Sequence, residues 1–370
     1  MTLPLPFTSD RRSGRTPLET RHRVRGSIAL LAASAVALTG CGAVTVDTDE
    51  ANEIITVTDD QGREVEIEGP VERAVVLNSY GNEFVRAIGA GDTVVGVDRT
   101  SLDRLPYLDI DESDLIAEGL DQLNYEAIAE LSPDVVVLPR NAVWQEASTQ
   151  LEAFGIPVVV ATAWDYAAFE DTVHLLGEVF DAQEGAEQLL GFNEEIHGLL
   201  DERLEGVEPV SVYFETAEPY LTVLPGSGFH AMIEAAGGDN VFADVSGGDA
   251  QEEITVDPAE VVTRAPDVIF HEFNPSFTPV DQFETLASDV HARPGFASIP
   301  AVQKGEIYVA NGWATSASAK AIGALYLATW LHPEQFEGVD PDAFLERWVT
   351  EFQQAEFTGS GDYVQGPFEG

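Results

Sequence analysis

Two stretches of this chain repeat one arrangement. Ala127-Ile-Ala-Glu-Leu-Ser-Pro-Asp-Val-Val-Val reads as a helix that turns through Pro-Asp into a buried strand, and Glu260-Val-Val-Thr-Arg-Ala-Pro-Asp-Val-Ile-Phe reads the same way. Proline cannot continue the helix, and it pushes the residue before it out of the helical region. The unbroken apolar run behind each corner fits a strand covered on both faces, as in a parallel sheet. A second pair keeps the same order: Gly91-Asp-Thr-Val and Gly238-Asp-Asn-Val each follow a helical stretch. Short apolar strands alternate with helices throughout, which is the mark of α/β architecture. Strands are expected at 74–77, 94–97, 135–138 and 158–161, then at 210–214, 268–270 and 307–310. The tract from Tyr166 to Leu204 has few breakers and predicts a long helix. The expectation is two α/β sandwich lobes, 53–165 and 206–370, joined by a spine helix over 166–205, with a ligand cleft between the lobes. A chain of 370 residues is long enough for two such bodies.

The first 40 residues read as an address. They hold six Arg and two acids, then an apolar run from Gly26 to Leu38 that is too short to span a bilayer. A basic start, a short apolar run and small residues before a cut site make a secretory signal. Arg11-Arg12 raises twin-arginine export, although the apolar residues expected directly behind it are missing. Cys41, the sole cysteine, follows Leu38-Thr39-Gly40. Residues 41–52 are acidic and read as a tether. No later segment is apolar enough for a membrane helix, so the expected product is a body held outside the cytoplasmic membrane.

Composition closes several functional classes. Lys and Arg number 18 against 65 Asp and Glu, for a net charge of −47, which repels phosphate backbones and argues against nucleic acid as a partner. One cysteine makes neither an internal disulfide nor a cysteine zinc site. Only Lys304 and Lys320 are lysines. There is no Gly-rich phosphate loop, nucleophile elbow or His-Glu-x-x-His, so an enzyme is not expected. An exported hydrolase or a tethered sensor module are the readings from other classes.

Several stretches of the chain carry a family resemblance. Leu38-Thr-Gly-Cys41 resembles the lipobox of bacterial lipoproteins, in which the cysteine carries lipid. Ile55-Thr-Val-Thr-Asp-Asp-Gln-Gly-Arg-Glu-Val, Pro70-Val-Glu-Arg-Ala-Val-Val-Leu and Ala87-Ile-Gly-Ala-Gly-Asp-Thr-Val-Val-Gly-Val resemble the substrate-binding lipoproteins of iron-siderophore and vitamin B12 ABC importers. So do Leu151-Glu-Ala-Phe-Gly-Ile-Pro-Val, Ala235-Ala-Gly-Gly-Asp-Asn-Val-Phe-Ala-Asp and Ile299-Pro-Ala-Val-Gln-Lys-Gly-Glu-Ile-Tyr-Val. The resemblance covers roughly 53–355. It implies a rigid helical connection, an ABC permease and its ATPase as partners, and a monomer without a resident cofactor. It also implies one exposed Glu per lobe that docks on the permease. Glu126, seven residues before Pro133, fits that place; Glu260 is offset by one, and Asp257-Pro258-Ala259-Glu260 also reads as a capping box.

In open α/β sheets ligands lie beyond the carboxyl ends of the strands. The residues there are Tyr80, Arg99, Arg140, Trp144, Trp164 and Tyr166 in the first half, and Glu215, Tyr220, His271 and Trp313 in the second. Trp and Tyr give broad contact with a polar tip, which suits a bulky, partly apolar ligand. Arg140, a cation in a chain with so few, could hold an anionic chelate. The scattered histidines fit a bare metal ion poorly. Leu224-Pro-Gly-Ser-Gly is a turn whose small residues allow a ligand to come close. The expected ligand is a ferric siderophore, with a corrinoid or haem second.

Overall fold

In the computed structural model, residues 53–102, 112–216, 218–247, 251–273, 282–315 and 319–368 are described. The signal segment, the tether and Cys41 lie outside them. A hairpin of β1 (Glu53–Thr58) and β2 (Glu64–Gly69) leads into β3 (Ala74–Val76), α1 (Ser79–Ala87), β4 (Val94–Asp98) and α2 (Arg99–Leu102). Then come β5 (Leu115–Ala117), α3 (Tyr125–Glu130), β6 (Val135–Leu138), α4 (Trp144–Glu152) and β7 (Val158–Val160). Strands β3 to β7 form a parallel sheet in the order β5-β4-β3-β6-β7. The order reverses between β3 and β6, which opens a crevice at their carboxyl ends.

Two helices, α5 (Phe169–Val179) and α6 (Gln183–Leu204), lead to the second lobe. It contains β8 (Val210–Glu215), β9 (Leu221–Val223), α7 (Gly228–Ala235), β10 (Gly238–Asn240), β11 (Glu253–Thr255), α8 (Pro258–Arg264) and β12 (Val268–Phe273). It closes with α9 (Phe283–Ala292), α10 (Pro300–Lys304), β13 (Ile307–Asn311), α11 (Gly312–Thr315), α12 (Lys320–Leu331), α13 (Pro341–Arg347) and β14 (Val364–Gln365). Strands β10, β8, β12 and β13 are parallel neighbours in that order, the order of β4, β3, β6 and β7. Strands β9, β11 and β14 are antiparallel additions.

The Pro-Asp corners are built alike. Ser132 and Ala265 both stand at φ 48°, the left-handed turn that ends α3 and α8. Behind the prolines, Asp134 accepts the backbone N–H groups of Glu72 and Arg73, each at 2.9 Å. Asp267 accepts the Ser211 hydroxyl at 2.9 Å. Each aspartate thus ties the head of one central strand to the head of its neighbour.

The predicted spine tract is two helices with a break. Asp181 takes φ 50°, and the Ala182 N–H bonds back to the Gly177 carbonyl at 2.8 Å, which ends α5. Helix α6, with 22 residues, is about 33 Å long and is the long member. It buries Ala186, Leu189, Phe192, Ile196 and Leu200, one stripe at helical spacing. That stripe belongs to a single apolar cluster that includes Val76, Phe84 and Val135 of the first lobe and Phe214, Ile233 and Leu325 of the second. The chain end also returns. Beyond α13, Gln353 donates to the Glu83 carbonyl at 3.0 Å, and the Phe352 ring lies 4.9 Å from that of Phe192. The stretch 206–370 therefore does not stay wholly within its own lobe, because its last apolar turn finds cover on α1 and α6.

Candidate functional site

A cavity of about 1370 Å³ opens between the lobes at the crevice of the first sheet. On the first-lobe side, β3 ends and Asn78 caps α1, its Oδ1 accepting the Tyr80 N–H at 3.0 Å. Asn78 stands at φ 129°, a costly conformation for a residue with a side chain, and is held there by its own N–H to buried Asp98 at 3.0 Å. Tyr80 is thereby fixed in the cleft, edge-on to Trp164 with ring centroids 6.3 Å apart. Arg140 and Asn141 follow β6 into the same space. The Arg140 guanidinium lies 5.7 Å above Trp164, pairs with Asp165 at 2.6 Å and reaches Glu252 of the other lobe at 3.5 Å.

The second-lobe wall comes from the turn after β9, the head of α7, the segment after β10, the entry to β11 and the head of α12. The turn Pro225–Ser227 starts α7, with the Ser227 hydroxyl accepting the Phe229 N–H at 3.2 Å. A Cβ at Gly228 would lie 2.7 Å from Lys320 Cε and 3.3 Å from the Trp164 carbonyl, so the head of α7, Lys320 and the first lobe meet closely here. Lys320, buried at the head of α12, sits 5.0 Å from the Phe229 ring and 6.0 Å from that of Tyr80. Asp244, Glu252 and Glu253 are the carboxylates of the lining. Asp244 is engaged by Arg264 at 2.5 Å. Burial, with the charge of Glu252 beside it, pushes the Glu253 carboxyl up. Among the described lining residues, two cations face three carboxylates.

The structure thus brings Tyr80, Arg140 and Trp164 together in the cleft and places other expected residues elsewhere. Arg99 sits beyond β4, one strand away from the crevice, and pairs with Glu118 through two 3.0 Å bonds. Trp144 opens α4, where the Arg63 guanidinium from the β1–β2 hairpin covers its ring at 4.5 Å. Glu215, Tyr220 and His271 gather on the α9 flank of the second sheet, and Tyr220 and His271 line a separate pocket of about 410 Å³. There Glu215 is fully buried and accepts from Arg293 at 2.6 and 2.7 Å, Tyr213 at 2.9 Å, the Tyr220 N–H at 2.8 Å and His271 Nδ1 at 3.0 Å. Burial alone would raise this carboxyl; the bonds from His271 and Arg293 outweigh it and hold it at about 2. Tyr166 and Trp313 lie on described backbone, with side chains outside the described ones.

Glu126 is exposed in the first turn of α3, and Glu260 is exposed in the first turn of α8. These helices precede the equivalent strands β6 and β12, so the two acids occupy matching places in the lobes. Asp257 does cap α8, accepting the Ala259 N–H at 2.9 Å, while the Glu260 carboxylate turns to Arg264 at 3.6 Å. Among the described residues no three His, Cys, Asp or Glu gather as a bare metal ion would require. Sequence reasoning missed Lys320, Phe229 and the three lining carboxylates. Only Lys320 carried a signal, its rarity in the chain.

Against known proteins, the sequence profile of the periplasmic binding protein family matches residues 75–312. The chain belongs to that family. It is similar to a cobalamin-binding protein of Halobacterium salinarum, with 27% identity over 67% of this chain and 69% of that one. It is also similar to an uncharacterized ABC transporter substrate-binding lipoprotein, YvrC, of Bacillus subtilis, with 25% identity over 84% of this chain and 98% of that one. The fold matches the molybdate-bound structure of the Haemophilus influenzae periplasmic binding protein MolA, with a TM-score of 0.69, 22% identity, and coverage of 82% of this chain and 99% of that one. The chain is accordingly a substrate-binding protein of an ABC importer and not an enzyme, and these relatives point to work outside the cytoplasm. Among the described residues no helix is long and apolar enough to cross a membrane.

Proposed function

We propose that this protein captures a bulky, uncharged corrinoid of the cobalamin type and delivers it to an ABC permease. The cleft itself carries the reading: about 1370 Å³, larger than the roughly 300–1,000 Å³ of ordinary small-molecule pockets. Its walls offer Tyr80, Trp164 and Phe229, and its charged lining is not net positive. Such a space has room for a ligand much larger than an oxyanion or a single metal ion. It gives a trianionic ferric catecholate no net electrostatic gain. A ferric siderophore stands first on sequence alone, and the charge balance moves the corrinoid ahead of it. The relatives named for cobalamin support this order. A ferric hydroxamate, also bulky and without strong negative charge, is the second reading. No His lines the cleft among the described residues, so a corrinoid would be held by contact with its faces and edges rather than by an axial imidazole.

Titration calorimetry of the mature protein against cyanocobalamin, a ferric hydroxamate, a ferric catecholate, haem and molybdate tests this. Saturable heat with cyanocobalamin is expected. Heat with the catecholate or molybdate and none with cyanocobalamin would overturn the reading. Delivery further requires a docking face, and an anchor would keep the protein beside its permease. We assign the anchor to lipidated Cys41 and the docking to Glu126 and Glu260. Cys41→Ala should release the protein from the membrane fraction; its retention there would refute the anchor.

A further inference from the structure

Arg140 meets two carboxylates before any ligand arrives. It is positioned by its own N–H, which donates to Thr162 Oγ1 at 3.1 Å. From there Nη1 pairs with Asp165 at 2.6 Å within its own lobe, and Nη2 reaches Glu252 at 3.5 Å across the cleft. The side chains of Arg140, Asp165 and Glu252 are 38%, 32% and 42% exposed, so none of them is locked in the core. An exposed ion pair of this kind adds little to stability. Its consequence is electrostatic. A bare guanidinium at a cleft wall would take a carboxylate, phosphate or catecholate in bidentate fashion. Flanked by two acids, the same guanidinium presents no net positive charge, and an incoming anion meets like charge.

We propose that Asp165 and Glu252 are specificity-determining residues that mask Arg140, so that the cleft rejects anionic chelates. This rests on the reading of the cleft as a site for an uncharged, bulky ligand, and it names the device that enforces the choice. Specificity of this type comes from penalising the wrong ligand rather than from extra contacts to the right one. Lys320, the other cation of the cleft, is buried at the head of α12 beside Phe229 and Tyr80, so Arg140 is the half-exposed cation that an incoming anion would meet.

The test uses the full mature chain as wild type, as the double variant Asp165→Asn/Glu252→Gln, and as that double variant with Arg140→Gln added. Affinity for a ferric tris-catecholate and for cyanocobalamin is measured in low and in high salt. Unmasking should strengthen catecholate binding by about tenfold or more, the scale of one charge-assisted contact. Cyanocobalamin affinity is measured on the same variants, so that the catecholate-to-cyanocobalamin ratio separates the loss of masking charge from a general change in the cleft. The catecholate gain should shrink in high salt and vanish when Arg140→Gln is added. A double variant that binds the catecholate no better than wild type overturns the proposal, and so does an equal gain without Arg140. Failure of the wild type to bind cyanocobalamin would instead sink the corrinoid reading. The catecholate ratio between variant and wild type would still decide the masking.

Discussion

Three glycines on α6 make opposite predictions for one substitution. Gly185 lies in the first turn of the helix, where it crosses the loop after α1. A Cβ built there would stand 2.0 Å from the Ile88 carbonyl oxygen, 2.6 Å from its carbon and 2.9 Å from its Cα. These are backbone atoms and cannot swing aside. Restoring an ordinary C···O contact of about 3.3 Å demands a displacement of more than about 1 Å, in a segment whose Ile88 and Ala186 are packed in the common core. Overpacking of this kind costs about 1–3 kcal/mol, occasionally more. The helix-propensity gain from Gly to Ala recovers at most about 1 kcal/mol. Gly185→Ala should therefore destabilise by about 2 kcal/mol net, a fall in Tm of several degrees for a chain this size. Gly191 and Gly198, on the same helix, have nothing within 4 Å of a Cβ. There the substitution should stabilise by up to about 1 kcal/mol. Denaturant titration followed by circular dichroism reads all three. A Gly185→Ala protein as stable as wild type would refute the close seat of the spine on the first lobe. A loss at Gly191 as large as at Gly185 would refute the local reasoning.

Glu215 should make the second lobe acid-sensitive. Its carboxyl sits near 2 in the fold against 4.5 as a free side chain, so it contributes stability above about pH 4.5 that is lost as pH falls toward 2, about 3 kcal/mol in all. Thermal melts between pH 7 and 3 should show a fall that is flatter in Glu215→Gln, a variant already destabilised at pH 7 by the unpaired Arg293; parallel pH curves would count against the assignment. Tyr80→Ala or Trp164→Ala should weaken ligand binding by about tenfold or more, as expected of aromatic anchors, while Arg99→Ala leaves calorimetric affinity unchanged; the reverse pattern would move the site. Glu126→Ala should leave affinity intact and impair uptake by cells, because the lost contact leaves a permease cation unpaired; loss of ligand binding in vitro would mean that Glu126 belongs to the cleft. Glu260→Ala should lower uptake likewise, and a stability loss with normal uptake would reduce it to a helix-end acid.

The sequence by itself determined the frame. The two Pro-Asp corners, each with an apolar run behind it, fixed two parallel sheets built on one plan, because a proline must end the helix and an unbroken β-branched run must be buried on both faces. The residues after β3, β6 and β7 were legible for the same reason: in a parallel sheet the carboxyl ends share one side, so Tyr80, Arg140 and Trp164 had to stand near one another. What the chain could not state locally were contacts between distant segments. Glu215 and His271 were expected just past their strands, yet Glu215 ends β8 and His271 lies within β12, and Arg293, remote in sequence, draws Glu215 into a buried network on the α9 flank. Trp144 is taken by Arg63 of the opening hairpin. The second wall of the cleft comes from the turn after β9, the segment after β10 and the entry to β11, stretches without an apolar period of their own. The charge of the cleft was the least legible of all. Arg140 is a cation in sequence and a paired group in space, because the fold of its own sheet brings Asp165 to it and only the meeting of the two lobes brings Glu252.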